Sequence, residues 1–324
     1  MRKYTNQQGL PLAIAVYLAT DHYDHEDDTV SATALLKPTR QLILSKRLPE
    51  DMSLVDVSRL LKSRMGTSIH DGIEKAWLQN YKVAMTALGY PQRVIDRVVI
   101  NPDPNAVTDD MIPVYMEQRS YREIMGVKVS GKFDFVAEGM IEDFKSTGTF
   151  TWVNGTKDDD YILQGSIYRW LNPKIVTADT MRINFIFWDW QAARAKADPK
   201  YPKSGVAAKT YQLLSVEQTE AFIRNKLSEV ARFQDAPEEE LPLCSDKELW
   251  RSSPVWKYYK NPQNTTRSTK NFDNPHDAYL RLQQDGHIGK VVEVPGEVVA
   301  CKYCAAFPLC SQAKALVADG SLKL

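Results

Sequence analysis

Residues 131–145 constrain the fold more than any other stretch of the chain: Gly131-Lys132-Phe133-Asp134-Phe135-Val136-Ala137-Glu138-Gly139-Met140-Ile141-Glu142-Asp143-Phe144-Lys145. Apolar runs flank Ala137-Glu138-Gly139, and Gly139 can take the positive φ that a tight turn needs, so the segment reads as a β-hairpin. Residues two apart on a strand share a face, which projects Asp143 and Lys145 together and sends Phe144 to the other side. If Asp134 on the opposite arm faces the same way, two carboxylates and an ammonium converge. That set suits a divalent cation bound beside a phosphate, and charged groups on a mostly apolar hairpin call for such a reason. The plainer alternative is a solvated hairpin.

A chain of 324 residues is long enough for one large domain or two modest ones, and 43% hydrophobic and 10% aromatic residues fit a folded globular protein. Lysine plus arginine (41) equals aspartate plus glutamate (41), so no global field draws the chain to nucleic acid, and any such contact must come from local patches. No run of about 18 apolar residues appears and the start lacks a secretory h-region, so a cytoplasmic protein is expected. Four cysteines in a chain of that compartment, three of them crowded near the end, favour metal or cluster ligation over disulfides.

Asp134, followed by Asp143-Phe144-Lys145, resembles the signature of the PD-(D/E)XK nucleases. The wider context looks like their RecB-type exonuclease branch, including phage-encoded members; if this chain is phage-encoded, the cytoplasm is that of the host. Phe133 stands where the family name has proline, and Asp143 is the Asp option of D/E. Upstream, the segment from Leu54 to about Leu88 reads as a helix with His70, Glu74 and Trp77 on one face. Gly66-x3-His70 resembles the first RecB-type motif, whose His helps to hold the catalytic metal; a core histidine is the bland reading. Downstream, Tyr161 to Leu171 reads as a helix stopped by Pro173. Gln164 and Tyr168 on it match the fourth motif, whose side chains orient the DNA strand and metal-bound groups. Glu117, on the strand expected from Val114 to Val129, is taken as a structural partner outside the ligand set.

Other segments are less specific. Asp21-His22-Tyr23-Asp24-His25-Glu26-Asp27-Asp28 has metal-binding residue types but reads as a solvated acidic loop. Ser31-Ala32-Thr33 caps a helix expected to run to about Leu48, begun as a turn at Pro38, whose Lys37, Arg40, Lys46 and Arg47 could touch phosphate or simply be surface. Met181 to Trp190 and Lys209 to Leu214 are strands around a basic loop, 191–208, that either guides a nucleic-acid strand or is a solvated tip. Residues 215–233 form an amphipathic helix. Trp250, Trp256, Tyr258 and Tyr259, interleaved with Arg251, Lys257, Lys260, Arg267 and Lys270, suit base stacking or the packing of a small subdomain.

Cys244, Cys301, Cys304 and Cys310 could complete one tetrahedral or cubane site. They resemble the iron staple of RecB-type nucleases, in which one distant cysteine joins three C-terminal ones on a 4Fe–4S cluster. Here the distant cysteine follows the nuclease core, and Zn²⁺ remains the alternative.

The sequence therefore leads to an α/β restriction-endonuclease-like core, a mixed central sheet flanked by helices, over residues 1–240, and a cysteine-stapled segment over 241–324. The resemblance implies a Mg²⁺- or Mn²⁺-dependent deoxyribonuclease, an exonuclease acting on single-stranded DNA or DNA ends. Its metal ligands would be His70, Asp134, Asp143 and the Phe144 carbonyl, with Lys145, Gln164 and Tyr168 as further catalytic residues. The rival is a catalytically silent DNA-binding or assembly module of the same fold.

Overall fold

The computed structural model describes residues 4–20, 26, 28–49, 54–264 and 266–324. The acidic loop with His22 and His25 falls almost wholly outside them. Two compact units emerge: Met1–Leu36 with Leu54–Ser228, and Lys37–Ser53 with Glu229–Leu324. Where the sequence placed a boundary at residue 240, the chain's own contacts assign Glu229–Glu240 and the Lys37–Ser53 segment to the C-terminal unit.

The first unit is built on a mixed sheet whose main path is β1 (Val98–Ile100), β2 (Ile112–Ile124), β3 (Val127–Ala137), β4 (Met140–Thr147), β5 (Thr180–Phe187) and β6 (Val206–Gln212), in that order. β2–β3, β3–β4 and β5–β6 are antiparallel; β1–β2 and β4–β5 are parallel. The single strand expected from Val114 to Val129 is two strands, because Met125 and Gly126 turn the chain with φ of 55° and 73°. Glu138 and Gly139 make the expected second hairpin in the same way, at 49° and 76°.

Helices cover both faces of this sheet. On one, α2 (Asp158–Leu171) lays Ile167, Tyr168 and Trp170 against Phe133, Ile141, Ile183 and Phe185. β5 shows why: its buried residues alternate, Met181, Ile183, Phe185 and Phe187, as a strand with one packed face must. On the other face the long helix α1 (Leu61–Ala87) brings Trp77, Tyr81 and Met85 onto Val114, Met116, Phe135 and Phe144. The helix foreseen from Leu54 therefore starts later, behind a short Val57–Leu60 3₁₀ turn. Among the described residues no helix is long and apolar enough to cross a membrane.

Side-chain alternation breaks at one level of the β2–β3 hairpin. Tyr115 and Ile124 both face the α2 side, as do Phe133 and Val136, although each pair is an odd number of residues apart. The register is unchanged across the break, Met116 opposite Phe135 and Gln118 opposite Phe133. Between those pairs lie Glu117 and Asp134, and Glu117 carries a φ of 51°, which a non-glycine strand residue adopts only at a cost.

The C-terminal unit contains the Thr39–Arg47 helix, a three-stranded antiparallel sheet (Val255–Tyr259 between Lys270–Phe272 and Lys290–Val294), the Pro275–Gln284 helix and the Ser311–Ala318 helix. The helix expected across 31–48 is interrupted: Ser31 caps a short Ala32–Leu35 turn of helix, and Pro38 precedes the next. Of the aromatic residues considered for stacking, Tyr258 and Tyr259 are buried, and the Tyr258 hydroxyl donates to Asp285 at 2.7 Å, so these two serve packing. The basic 191–208 stretch is partly spent on structure as well: it holds an Ala192–Ala197 helix, Arg194 lies over the Tyr201 ring at 4.8 Å, and Lys203 reaches the Ala195 carbonyl.

Candidate functional site

β3 and β4 pair at only three positions, Phe135 with Glu142, Val136 with Ile141 and Ala137 with Met140, and then part. Parting leaves the Phe144 peptide without a strand partner on the β3 side, and side chains take its place. Its N–H donates to Asp134 Oδ2 at 3.0 Å, and its carbonyl accepts from His70 Nε2 at 2.9 Å. The far side of the His70 ring then faces acids: Nδ1 lies 3.4 Å from Asp134 Oδ1 and 3.8 Å from Glu117 Oε1. One ligand atom from each of His70, Glu117 and Asp134 falls within 4.8 Å of the other two, the only such group of metal-ligating side chains among the described residues. Lys132, across the hairpin, makes a close ion pair with Glu117.

These side chains line a cleft of about 740 Å³, with Lys145, Gln164 and Tyr168 on its wall. Asp143 does not line it. It is 1% exposed, and its Oδ2, which accepts no aligned hydrogen bond, lies 2.6 Å from Lys145 Nζ. Gln164 donates to the Tyr168 hydroxyl at 2.8 Å, the one-turn spacing made into a contact. Gly131 is where this hairpin meets α2: a Cβ there would come within 2.6 Å of Leu171 and 3.0 Å of the Tyr168 ring.

The structure thus gathers His70, Asp134, Phe144, Lys145, Gln164 and Tyr168 around one cleft. It sets Asp143 behind Lys145 and turns the Phe144 carbonyl toward the His70 ring. Glu117, left outside the ligand set on the sequence, stands inside the group. The sequence marks it only through the resemblance, and only as a structural partner, because regular alternation along β2 does not lead to the group; the local break and the positive φ do.

The electrostatics follow from burial and proximity. Burial disfavours a charged His70, but Asp134 and Glu117 outweigh it and raise the ring to about 10, so it is a cation at neutral pH. Burial pushes the Asp143 carboxyl up to about 6 against the pull of Lys145. Burial also opposes the charge of Lys145, yet Asp143 and Asp134 keep its pKa above the usual lysine value. Asp134, despite its burial, is held low by His70, Lys145 and the Phe144 N–H.

In the C-terminal unit Cys244, Cys301, Cys304 and Cys310 line one small cavity, closed by Leu44 and Phe307 among others. Burial raises the thiols of Cys301 and Cys304, and it pushes Cys244 up to about 12, with Glu248 and the other cysteines adding to the effect. Arg40, weighed on the sequence as a phosphate contact or a surface cation, is neither: it is 2% exposed and directed at this site.

No protein-family profile matches the chain, and no curated protein matches it. Among solved structures, "Crystal structure of SSO0001" is similar at 16% identity over 69% of this chain and 86% of that one, with a TM-score of 0.41. A phage related exonuclease from Haemophilus somnus 129PT is similar at 16% identity over 66% of this chain and 96% of that one, with a TM-score of 0.29. Likenesses this distant identify neither a family nor an activity.

Proposed function

We propose that the cleft of the first unit is the active site of a Mg²⁺- or Mn²⁺-dependent nuclease of PD-(D/E)XK type that hydrolyses DNA, acting on single strands or ends. The observation that carries this reading is the convergence of His70, Glu117 and Asp134 within ligand range beside the Lys145 ammonium. His70, Glu117 and Asp134, each with a ligand atom within 4.8 Å of the other two, would hold such an ion. When bound, the ion supplies a more acidic water and charge neutralisation at the scissile phosphate.

The chain's own residues do the rest. His70 offers Nδ1 toward the acids because its Nε2–H is committed to the Phe144 carbonyl; this gives Phe144 an orienting role in place of the ligand role that the resemblance implied. Asp143, expected as a ligand, acts here by holding Lys145 charged and fixed. Lys145 then presents a preorganised ammonium to the charge that grows on the phosphoryl oxygens. Gln164 and Tyr168 form one bonded pair on the cleft wall, suited to positioning the strand. The charges balance: three carboxylates (Glu117, Asp134, Asp143) face three cations (His70, Lys132, Lys145). Exchanging the His70 proton for a divalent ion leaves one positive charge, which one phosphodiester offsets.

The four cysteines belong to the same reading, as ligands of a structural 4Fe–4S cluster. Their lining of one cavity supports a single centre. Zn²⁺ is the alternative occupant of the same four thiolates.

The test is incubation of the pure chain with end-labelled single- and double-stranded DNA in Mg²⁺, Mn²⁺ or EDTA. Cleavage that EDTA abolishes is expected. DNA binding with no cleavage in either ion would replace this reading with the silent binding module.

A further inference from the structure

Arg40 is a buried guanidinium on the Thr39–Arg47 helix, and burying one is costly unless its donors and charge are met. They are met by four kinds of partner. Nη1 donates to the Leu241 carbonyl at 3.0 Å, Nη2 donates to Ser311 Oγ at 3.0 Å and pairs closely with Glu238, and Nε donates to Cys310 Sγ at 3.3 Å. Glu238 in turn accepts from the N–H and hydroxyl of Ser311 at 3.0 and 2.9 Å, which ties the residue after Cys310 into the same knot. An arginine that merely anchored a helix would need the carbonyl and the carboxylate. It would have no need of the sulfur, and an apolar side chain would fill the space at no greater cost.

We propose that Arg40 is a positioning residue of the cysteine site: it holds the Cys310 sulfur in the cavity wall, and its charge offsets that of the thiolates when a metal centre is bound. This inference rests on the reading of the four cysteines as one site. An N–H donor on a sulfur is strengthened when that sulfur is anionic, and hydrogen bonds to ligating sulfurs govern both retention and potential of the centre. Arg47 supplies the internal control. It lies on the same helix, its Nη2 donates to the Gln234 and Ala236 carbonyls at 2.8 and 2.7 Å, and among the described residues its partners include no cysteine.

The full chain and its Arg40→Met, Arg40→Lys and Arg47→Met variants, purified without oxygen, are assayed for iron, acid-labile sulfide and zinc, and then for the rate at which bound metal passes to a chromogenic chelator. Release roughly 10-fold faster or more is expected for Arg40→Met, a smaller increase for Arg40→Lys, and the parent rate for Arg47→Met. If the centre contains iron, the midpoint potential of Arg40→Met should shift to more negative values, a change that a purely structural arginine would not produce. Should Arg40→Met be insoluble, Arg40→Lys, which keeps the charge but not the Nε donor, provides the comparison. Parent-like release from the Arg40 variants, or equal acceleration by Arg47→Met, overturns the role of Arg40 and leaves the cysteine site standing. A parent chain without metal overturns the site and the inference together.

Discussion

Half-buried Lys145 and buried Asp143 hold each other in an ion pair, so neither can be altered without consequence for the other. Lys145→Ala removes the ammonium from the cleft and should lower the cleavage rate by roughly 10²–10³-fold, with metal binding kept, because Lys145 is not in the ligand group. Calorimetry with Mn²⁺ beside a cleavage assay checks the split, and parent-like cleavage would remove Lys145 from the site. The same variant leaves Asp143 buried without its paired cation. Its pKa, already about 6, must rise further, so the folded state binds a proton that the unfolded state releases near pH 4. Stability should therefore fall as pH rises, and melts of Lys145→Ala should trail the parent more at pH 8 than at pH 5.

His70 sets a second pH dependence. Its raised pKa stabilises the metal-free fold fully below about 6.5, and this contribution is lost as pH climbs toward about 10. Metal affinity runs the other way, since Nδ1 must shed its proton: about one proton leaves per ion, and affinity should rise about tenfold per pH unit between pH 7 and 9. Titration calorimetry in buffers of different ionisation enthalpy counts that proton. His70→Ala should abolish the release and weaken Mn²⁺ more than Mg²⁺, since imidazole prefers the softer ion. Unchanged affinity for both ions would return His70 to a packing role.

The α2 helix holds the cleft wall in place through a close approach to the sheet. A Cβ on Gly165 would stand 2.2 Å from Met181 Sδ and 3.0 Å from Leu213 Cδ2, and both of those residues belong to the core. Gly165→Ala must push α2 outward or displace Met181, at about 1–3 kcal/mol. Gln164 is its neighbour in sequence and Tyr168 lies on the same helix, so activity should fall with the melting temperature. An unshifted melt would mean that the core yields there at no cost. The same packing explains why a glycine tolerates a helix interior that ordinarily disfavours it.

At the scale of the whole molecule, a centre held by the four cysteines would join distant parts of the C-terminal unit. Cys244 and Cys301 enclose the three-stranded sheet and the Pro275–Gln284 helix, a loop of roughly 55 residues, and closing a loop of that length is worth about 4 kcal/mol in the chain-entropy account. Cys301→Ala should lower yield and melting temperature and open residues 245–300 to limited proteolysis. The His70–Glu117–Asp134 group should keep its Mn²⁺ affinity, because no cysteine belongs to it. A variant that melts with the parent and resists protease equally would mean that the site closes nothing.

Much of this was legible along the chain wherever the signal is local. The Glu138-Gly139 turn, the helix carrying Gln164 and Tyr168 and the shared face of Asp143 and Lys145 depend on backbone preferences and on strand or helix periodicity, which neighbouring residues set. The gathering of His70 with Asp134 was also anticipated, though only through the resemblance. Three things depended on contacts between residues far apart in sequence. Glu117 reaches the acid group because alternation breaks in β2 and β3 at one level, an event periodicity cannot foresee. Asp143 lies behind Lys145 and outside the ligand group because the arms part after three pairs, leaving the Phe144 peptide to Asp134 and His70. Arg40 looks like any surface cation on an amphipathic helix until Leu241, Glu238 and Cys310, about 200 to 270 residues away, close around it. Composition and spacing specify which groups are charged, but the cost of burying a charge is decided by what surrounds it, and that only the folded chain supplies.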